Sequence, residues 1–159
     1  MSDIEHDSKL WLHNETYGFK SVPSPKDHET IIKSVLICAK ADGVLAPEER
    51  NWISGRAAAL RSDGYELAKT YPADEDILDV LSQSDAVNNR GRRTVIYLAI
   101  KTCSADGDLH PDEMAKIYQI AEKVGLEKEA VDSLKELCAE EAEVREKRIG
   151  LLFPDGAPY

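Results

Sequence analysis

One short stretch occurs twice in this chain and limits its possible folds more than any other feature. Ala41-Asp42-Gly43-Val44-Leu45-Ala46-Pro47-Glu48-Glu49 returns 64 residues further on as Ala105-Asp106-Gly107-Asp108-Leu109-His110-Pro111-Asp112-Glu113. The Gly tolerates the left-handed backbone that ends a helix. The Pro four residues later suits the first turn of the next helix, where its missing N–H leaves no bond unmade. An apolar run precedes each copy and an amphipathic run follows it, so each copy is the corner of a helical hairpin. Aligning Thr30 with Thr94 also pairs Ile32 with Ile96, Ile53 with Ile117 and Ala57 with Ala121. It gives ten identities over the 33 positions of 30–62 and 94–126. The spacing reads as a duplicated helix pair.

The rest of the chain is arranged around the two hairpins. Residues 1–28 form an N-terminal extension with Trp11, Leu12, Tyr17 and Phe19, more aromatic than a disordered tail. Part of it is expected to pack on the body through a short helix near Lys9 to Glu15. His6, His13 and His28 have no ligand-like spacing and read as surface histidines. Thr30 to Ala41 carries so little polar surface that it should be the central helix. In the connector 61–89, Asp63 to Thr70 reads as a short helix. Asp74 to Gln83 reads as another, its leading acids complementing the helix dipole. Glu127 to Arg148 is expected to be a long amphipathic helix that buries Ala130, Val131, Leu134, Leu137, Cys138 and Val144. Residues 150–159 are a C-terminal tail whose Leu151, Leu152 and Phe153 could dock on the body. No stretch alternates with the period of a strand, so the class is all-α: duplicated hairpins plus a long C-terminal helix in one domain over 29–149. A chain of 159 residues can bury a core of this kind unaided.

Charge and motif content exclude several function classes. The net charge of −10 repels phosphate backbones, which argues against nucleic acid as a partner. The basic cluster Arg90-Gly91-Arg92-Arg93 reads as solvated surface. Cys38, Cys103 and Cys138 are odd in number, form no CxxC pair and sit in apolar runs, as reduced core thiols do. The N-terminus lacks the order of a signal peptide, and no apolar run approaches the roughly 20 residues that span a bilayer. A cytoplasmic protein, not inserted in a membrane, is expected. With no phosphate loop, GxSxG or HExxH, the chain is not expected to be an enzyme.

The repeated turn supports two readings. In the first, every residue serves helix connection: Asp-Gly ends one helix, Leu45 or Leu109 plugs the gap, Pro opens the next helix, and Glu49 or Glu113 caps its free N–H groups. In the second, the retained acids are ligands. Lys33 against Tyr97 and Arg56 against Ile120 show how far the copies have diverged, yet Asp42 and Asp106, Glu49 and Glu113 remain acidic. Carboxylates at a helix end and at the next helix start are hard oxygen ligands suited to calcium or magnesium. The second copy adds Asp108, His110 and Asp112, and the imidazole would admit zinc. Glu48 is a further acid in the first. An EF-hand is excluded by its opening positions, which would fall on Cys38 and Lys40 or on Thr102 and Ser104 instead of acids.

A duplicated helical unit carrying Ala-Asp-Gly-x-Leu-x-Pro-x-Glu resembles the TerB-like tellurite-resistance family over roughly Glu29 to Glu141. Bacterial proteins of other names share such a domain, among them a membrane-anchored DnaJ-type co-chaperone. The resemblance implies a compact helical fold with an acidic, metal-chelating surface that serves stress responses to tellurite and other insults. It also implies protein partners, often membrane proteins. Carried over residue by residue, the family's acids fall on Asp42, Glu49, Asp106 and Glu113. The function expected on this basis is a non-enzymatic metal-binding stress-response module. The alternative is a helical interaction adaptor whose acidic turns are purely structural.

Overall fold

The computed structural model describes residues 1–40 and 43–159, and within them the chain forms helices and no strand. The first hairpin pairs α2 (Pro25–Ala39) with α3 (Pro47–Ala59), and the second pairs α7 (Arg92–Cys103) with α8 (Pro111–Lys123). Between them lie α4 (Gly64–Thr70), α5 (Ile77–Leu81) and α6 (Asp85–Arg90). Before and after come α1 (Asp3–Tyr17) and α9 (Lys128–Leu152). The hairpins, the connector helix near 63–70 and the long last helix follow the sequence pattern, whereas the helix expected over 74–83 shortens to Ile77–Leu81, because Asp76 caps its start by accepting the Leu78 and Asp79 N–H groups. Helix α6 does not follow the pattern, because its six residues are too few to show a period; its start is set by Ser84, whose Oγ accepts the Val87 N–H.

Helix α2 is the hub, packing against every helix from α3 to α8. It begins at Pro25, ahead of Thr30, because Ser24 and Asp27 form a reciprocal cap there. The duplication shapes the core. Ile32, Val35, Leu36 and Ala39 of α2 and their aligned partners Ile96, Ala99, Ile100 and Cys103 of α7 are all buried, and the two helices pack on one another. The second helices match in the same way, Ile53 with Ile117 and Ala57 with Ala121.

Helix α1 is longer than the expected piece at 9–15. Its start is closed by a reciprocal Ser2–Glu5 cap, and it ends at Gly18. It docks on the end of α3, where Ser8 Oγ donates to the Ala59 carbonyl at 2.7 Å and Lys9 Nζ to the Arg61 carbonyl at 3.2 Å. Carbonyls at a helix C-terminus lack intrahelical partners, and a cation there also meets the negative end of the dipole.

The seam expected along α9 holds only for its first half. Val131 is buried and Leu134 and Cys138 pack on the core, whereas Leu137 and Val144 are exposed. Two polar clusters fasten that half. Tyr97 donates its hydroxyl to Glu141, which also pairs with Lys101. Tyr118 donates to Asp132, which pairs with Lys128 at 2.8 Å. Beyond Glu141 the helix overruns its support: 25 residues make a rod of about 38 Å, against about 20 Å for the 13 of α8. Leu151, Leu152 and Phe153 therefore do not dock as expected but stand in solvent. No described helix is long and apolar enough to cross a membrane.

Candidate functional site

The two copies of the turn are built alike. Gly43 and Gly107 adopt φ of 97° and 96°, and their N–H groups reach back to the Lys40 and Ser104 carbonyls at 2.7 and 3.0 Å. An added Cβ would meet nothing within 4 Å at either glycine, so the requirement is conformational rather than spatial. Pro47 and Pro111 occupy the first turns of α3 and α8, and Leu45 and Leu109 lean on the core.

The acids of the turns divide by burial. Glu49 is 5% exposed, and its Oε2 accepts the Ala46 N–H at 2.7 Å. Glu113, half-buried, accepts the His110 N–H at 3.0 Å. Asp106 Oδ1 accepts the Asp108 N–H at 2.9 Å, a turn closed by its own side chain. Glu48, Asp106, Asp108, His110 and Asp112 are exposed. Asp42 lies outside the described residues. Among the described residues no three His, Cys, Asp or Glu side chains gather as a metal ion would require.

A second feature has no counterpart in the sequence reading. A cavity of about 560 Å³ opens between the N-terminal segment and α2, α3, α6 and α7, with Tyr17, Phe19, His13, His28, Arg56 and Arg90 among its walls. Two of the histidines read as surface residues are in fact buried, His13 to 4% and His28 to 6%. They pack edge to face at 5.2 Å, and Phe19 stacks on His13 at 5.9 Å. His13 Nδ1–H donates to the Lys9 carbonyl at 2.7 Å. His28 Nε2 is buried with no hydrogen-bond partner among the described residues. Burial, then the nearby charges of His13, Arg56 and Lys9, push the His28 imidazole down to about 4 against the opposing pull of Asp27. His13 is also lowered, chiefly by burial. Arg56 donates to the Tyr17 hydroxyl at 3.4 Å. The cavity thus offers aromatic and aliphatic walls with cationic groups at the edge, a mixture suited to an apolar side chain beside an acidic one. Its residues come from distant parts of the chain. The local signal was that His28 and Ile32 share a face of α2, four residues apart.

No family model and no curated protein matches the sequence. Among solved structures, the fold is similar to the crystal structure of a tellurite resistance protein from Nostoc punctiforme. The two share 42% sequence identity over 100% of both chains, with a TM-score of 0.94.

Proposed function

Because the chain belongs to the TerB-like tellurite-resistance family, we propose that it serves tellurite resistance as a non-enzymatic, cytoplasmic stress-response module that works by binding. The observation that carries this reading is the likeness of the entire chain, at 42% identity, to a tellurite resistance protein. The state of two of the three thiols supports a role without covalent chemistry at those positions. Burial pushes Cys38 up to about 12 and Cys138 up to about 11, and a nucleophilic cysteine needs the opposite shift.

A protein partner is the binding mode that the geometry favours. The cavity beside Tyr17 and Phe19 is preformed, and Arg56 and Arg90 at its wall suit a partner segment that presents an apolar residue next to an acid. The aromatic N-terminal segment then contributes one wall of the adaptor surface. A divalent cation is the second reading, and a different observation favours it. Asp106, Asp108 and Asp112 are exposed and have no ion pair with any described residue, so calcium, magnesium or zinc could be drawn to Asp106 and Glu113 with water completing the shell.

The test is tellurite tolerance in a host that lacks its own relative of this chain. Wild type should restore growth, Arg56→Glu/Arg90→Glu should not, and Asp106→Asn/Glu113→Gln should behave as wild type if the partner surface matters and the turn does not. Failure of wild type to restore growth would overturn the family-level reading. Calorimetric titration with each cation separates the modes. Binding weaker than about millimolar, the range of the weakest calcium modules, ends the metal reading. Tight binding lost in the double variant would put the cation first.

A further inference from the structure

Among the described residues, no core side chain packs against the outer half of α9. Val144, Leu151 and Leu152 are 57, 73 and 62% exposed, and Leu137 is 41% exposed. Leu137, Val144 and Leu151 follow one another at seven-residue intervals, close to two turns, so they form one stripe along the helix. Leu137 directly precedes Cys138, which packs on the core. The stripe is therefore turned roughly a quarter of the way round from the body-facing seam.

The charges beside the stripe are reversed about its middle. Counting outward from Val144, Glu143 is matched by Arg145, Glu141 by Lys147, Glu140 by Arg148 and Leu137 by Leu151. Laid antiparallel on a second copy of itself about Val144, the helix sets Glu140 opposite Lys147 and Glu141 opposite Arg148, each pair on one side of the stripe, and leucine opposite leucine. Laid parallel, it sets like charges together. A two-fold interface needs this self-complementarity, because residue i meets j while j meets i. Glu141 is already held by Tyr97 and Lys101, which leaves Glu140 with Lys147.

The body supplies a third observation. Leu137 borders an open groove of about 230 Å³, with Leu134, Tyr97, Thr94 and Tyr17 around it. The same pairing carries Leu151 of one copy to Leu137 of the other. From stripe, charge order and groove together we propose that α9 is a self-association helix. Two copies of this chain pair antiparallel about Val144, and the Leu151 end of each rests on the Leu137 groove of its partner. The partner is a second copy because the complementarity is of the helix with itself. An anionic membrane surface would be repelled by the acids at 140–143.

Light scattering on the full chain should show the mass rising from 17.7 kDa towards twice that value between micromolar and millimolar concentration. Glu140→Lys alone, and Lys147→Glu alone, each place like charges across the axis and should weaken association by about tenfold. The double variant Glu140→Lys/Lys147→Glu should restore it. Both positions are exposed, and circular dichroism checks that each variant remains folded. In a Cys138→Ala background, Val144→Cys should cross-link to itself on mild oxidation. Leu151→Cys should stay single until mixed with Leu137→Cys. A mass that remains at one chain up to millimolar concentration overturns the proposal. So does a double swap that fails to rescue, or a Leu151→Cys chain that links to itself as readily as to Leu137→Cys.

Discussion

Arg61 and Gly125 hold the same place in the two hairpins and solve it differently. Each follows the second helix of its copy in the left-handed region, at φ of 48° and 81°. Each is followed by the same closing bond, Ser62 N–H to the Ala57 carbonyl at 2.9 Å and Leu126 N–H to the Ala121 carbonyl at 2.8 Å, the Schellman pattern. A Cβ in that conformation is strained, and glycine escapes the strain at some entropic cost. Arg61→Gly should therefore raise stability by about 0.5–1 kcal/mol and Gly125→Ala lower it by about 1 kcal/mol, read from urea midpoints at unchanged slope. His28 supplies a pH dependence. Its folded value of about 4 lies below the unfolded value near 6.5, so the unfolded chain binds the extra proton between them. Stability from this residue is complete above pH 6.5 and is lost as pH falls towards 4, by on the order of 3 kcal/mol. The groups facing it are His13, Arg56, Lys9 and Asp27. His28→Leu should flatten the wild-type decline between pH 7 and 4 by that amount. An unchanged decline would show that other groups cause it.

At the scale of the element, the hairpin corners and their caps explain the acid that both copies retain at the start of the second helix. Glu49→Ala leaves the Ala46 N–H without its acceptor beside a buried site and should cost about 1–3 kcal/mol. Glu49→Gln keeps an oxygen there and should cost less than half as much. Glu113→Ala, at a half-buried corner, should fall at or below the low end. Equal losses at Glu49 and Glu113 in thermal melts would argue against burial as the deciding variable. Hairpins, corners and caps were legible in the sequence because each is local: a period, a glycine, a proline and an acid at set distances. The seam of α9 was only half legible. A helical stripe reveals which face is apolar and says nothing of how far the neighbouring helices extend beneath it. The cavity was not legible at all, since His13, His28, Arg56 and Arg90 share no spacing and meet only when α1 docks on the end of α3.

At the scale of the whole molecule, stability should grade outward from α2. Amide exchange should be slowest in α2 and α7, whose buried faces meet each other. It should be faster in α9 beyond Val144, where backbone hydrogen bonds are open to water. If copies pair through α9, protection after Val144 should rise with protein concentration while that of α2 stays constant. Protection that is uniform along α9 at all concentrations would contradict the picture of a helix supported at one end.

The matched core of α2 and α7 also bears on ancestry. Ile32 with Ile96, Leu36 with Ile100 and Ala39 with Cys103 are buried at equivalent ranks, so each hairpin covers the other with the same surface. Segment 64–90 tethers the two hairpins. Once joined, the halves no longer needed to remain identical. One corner could keep Ala46 where the other took His110, and one helix end could keep Arg61 where the other took Gly125, because a single gene now held two versions of each part.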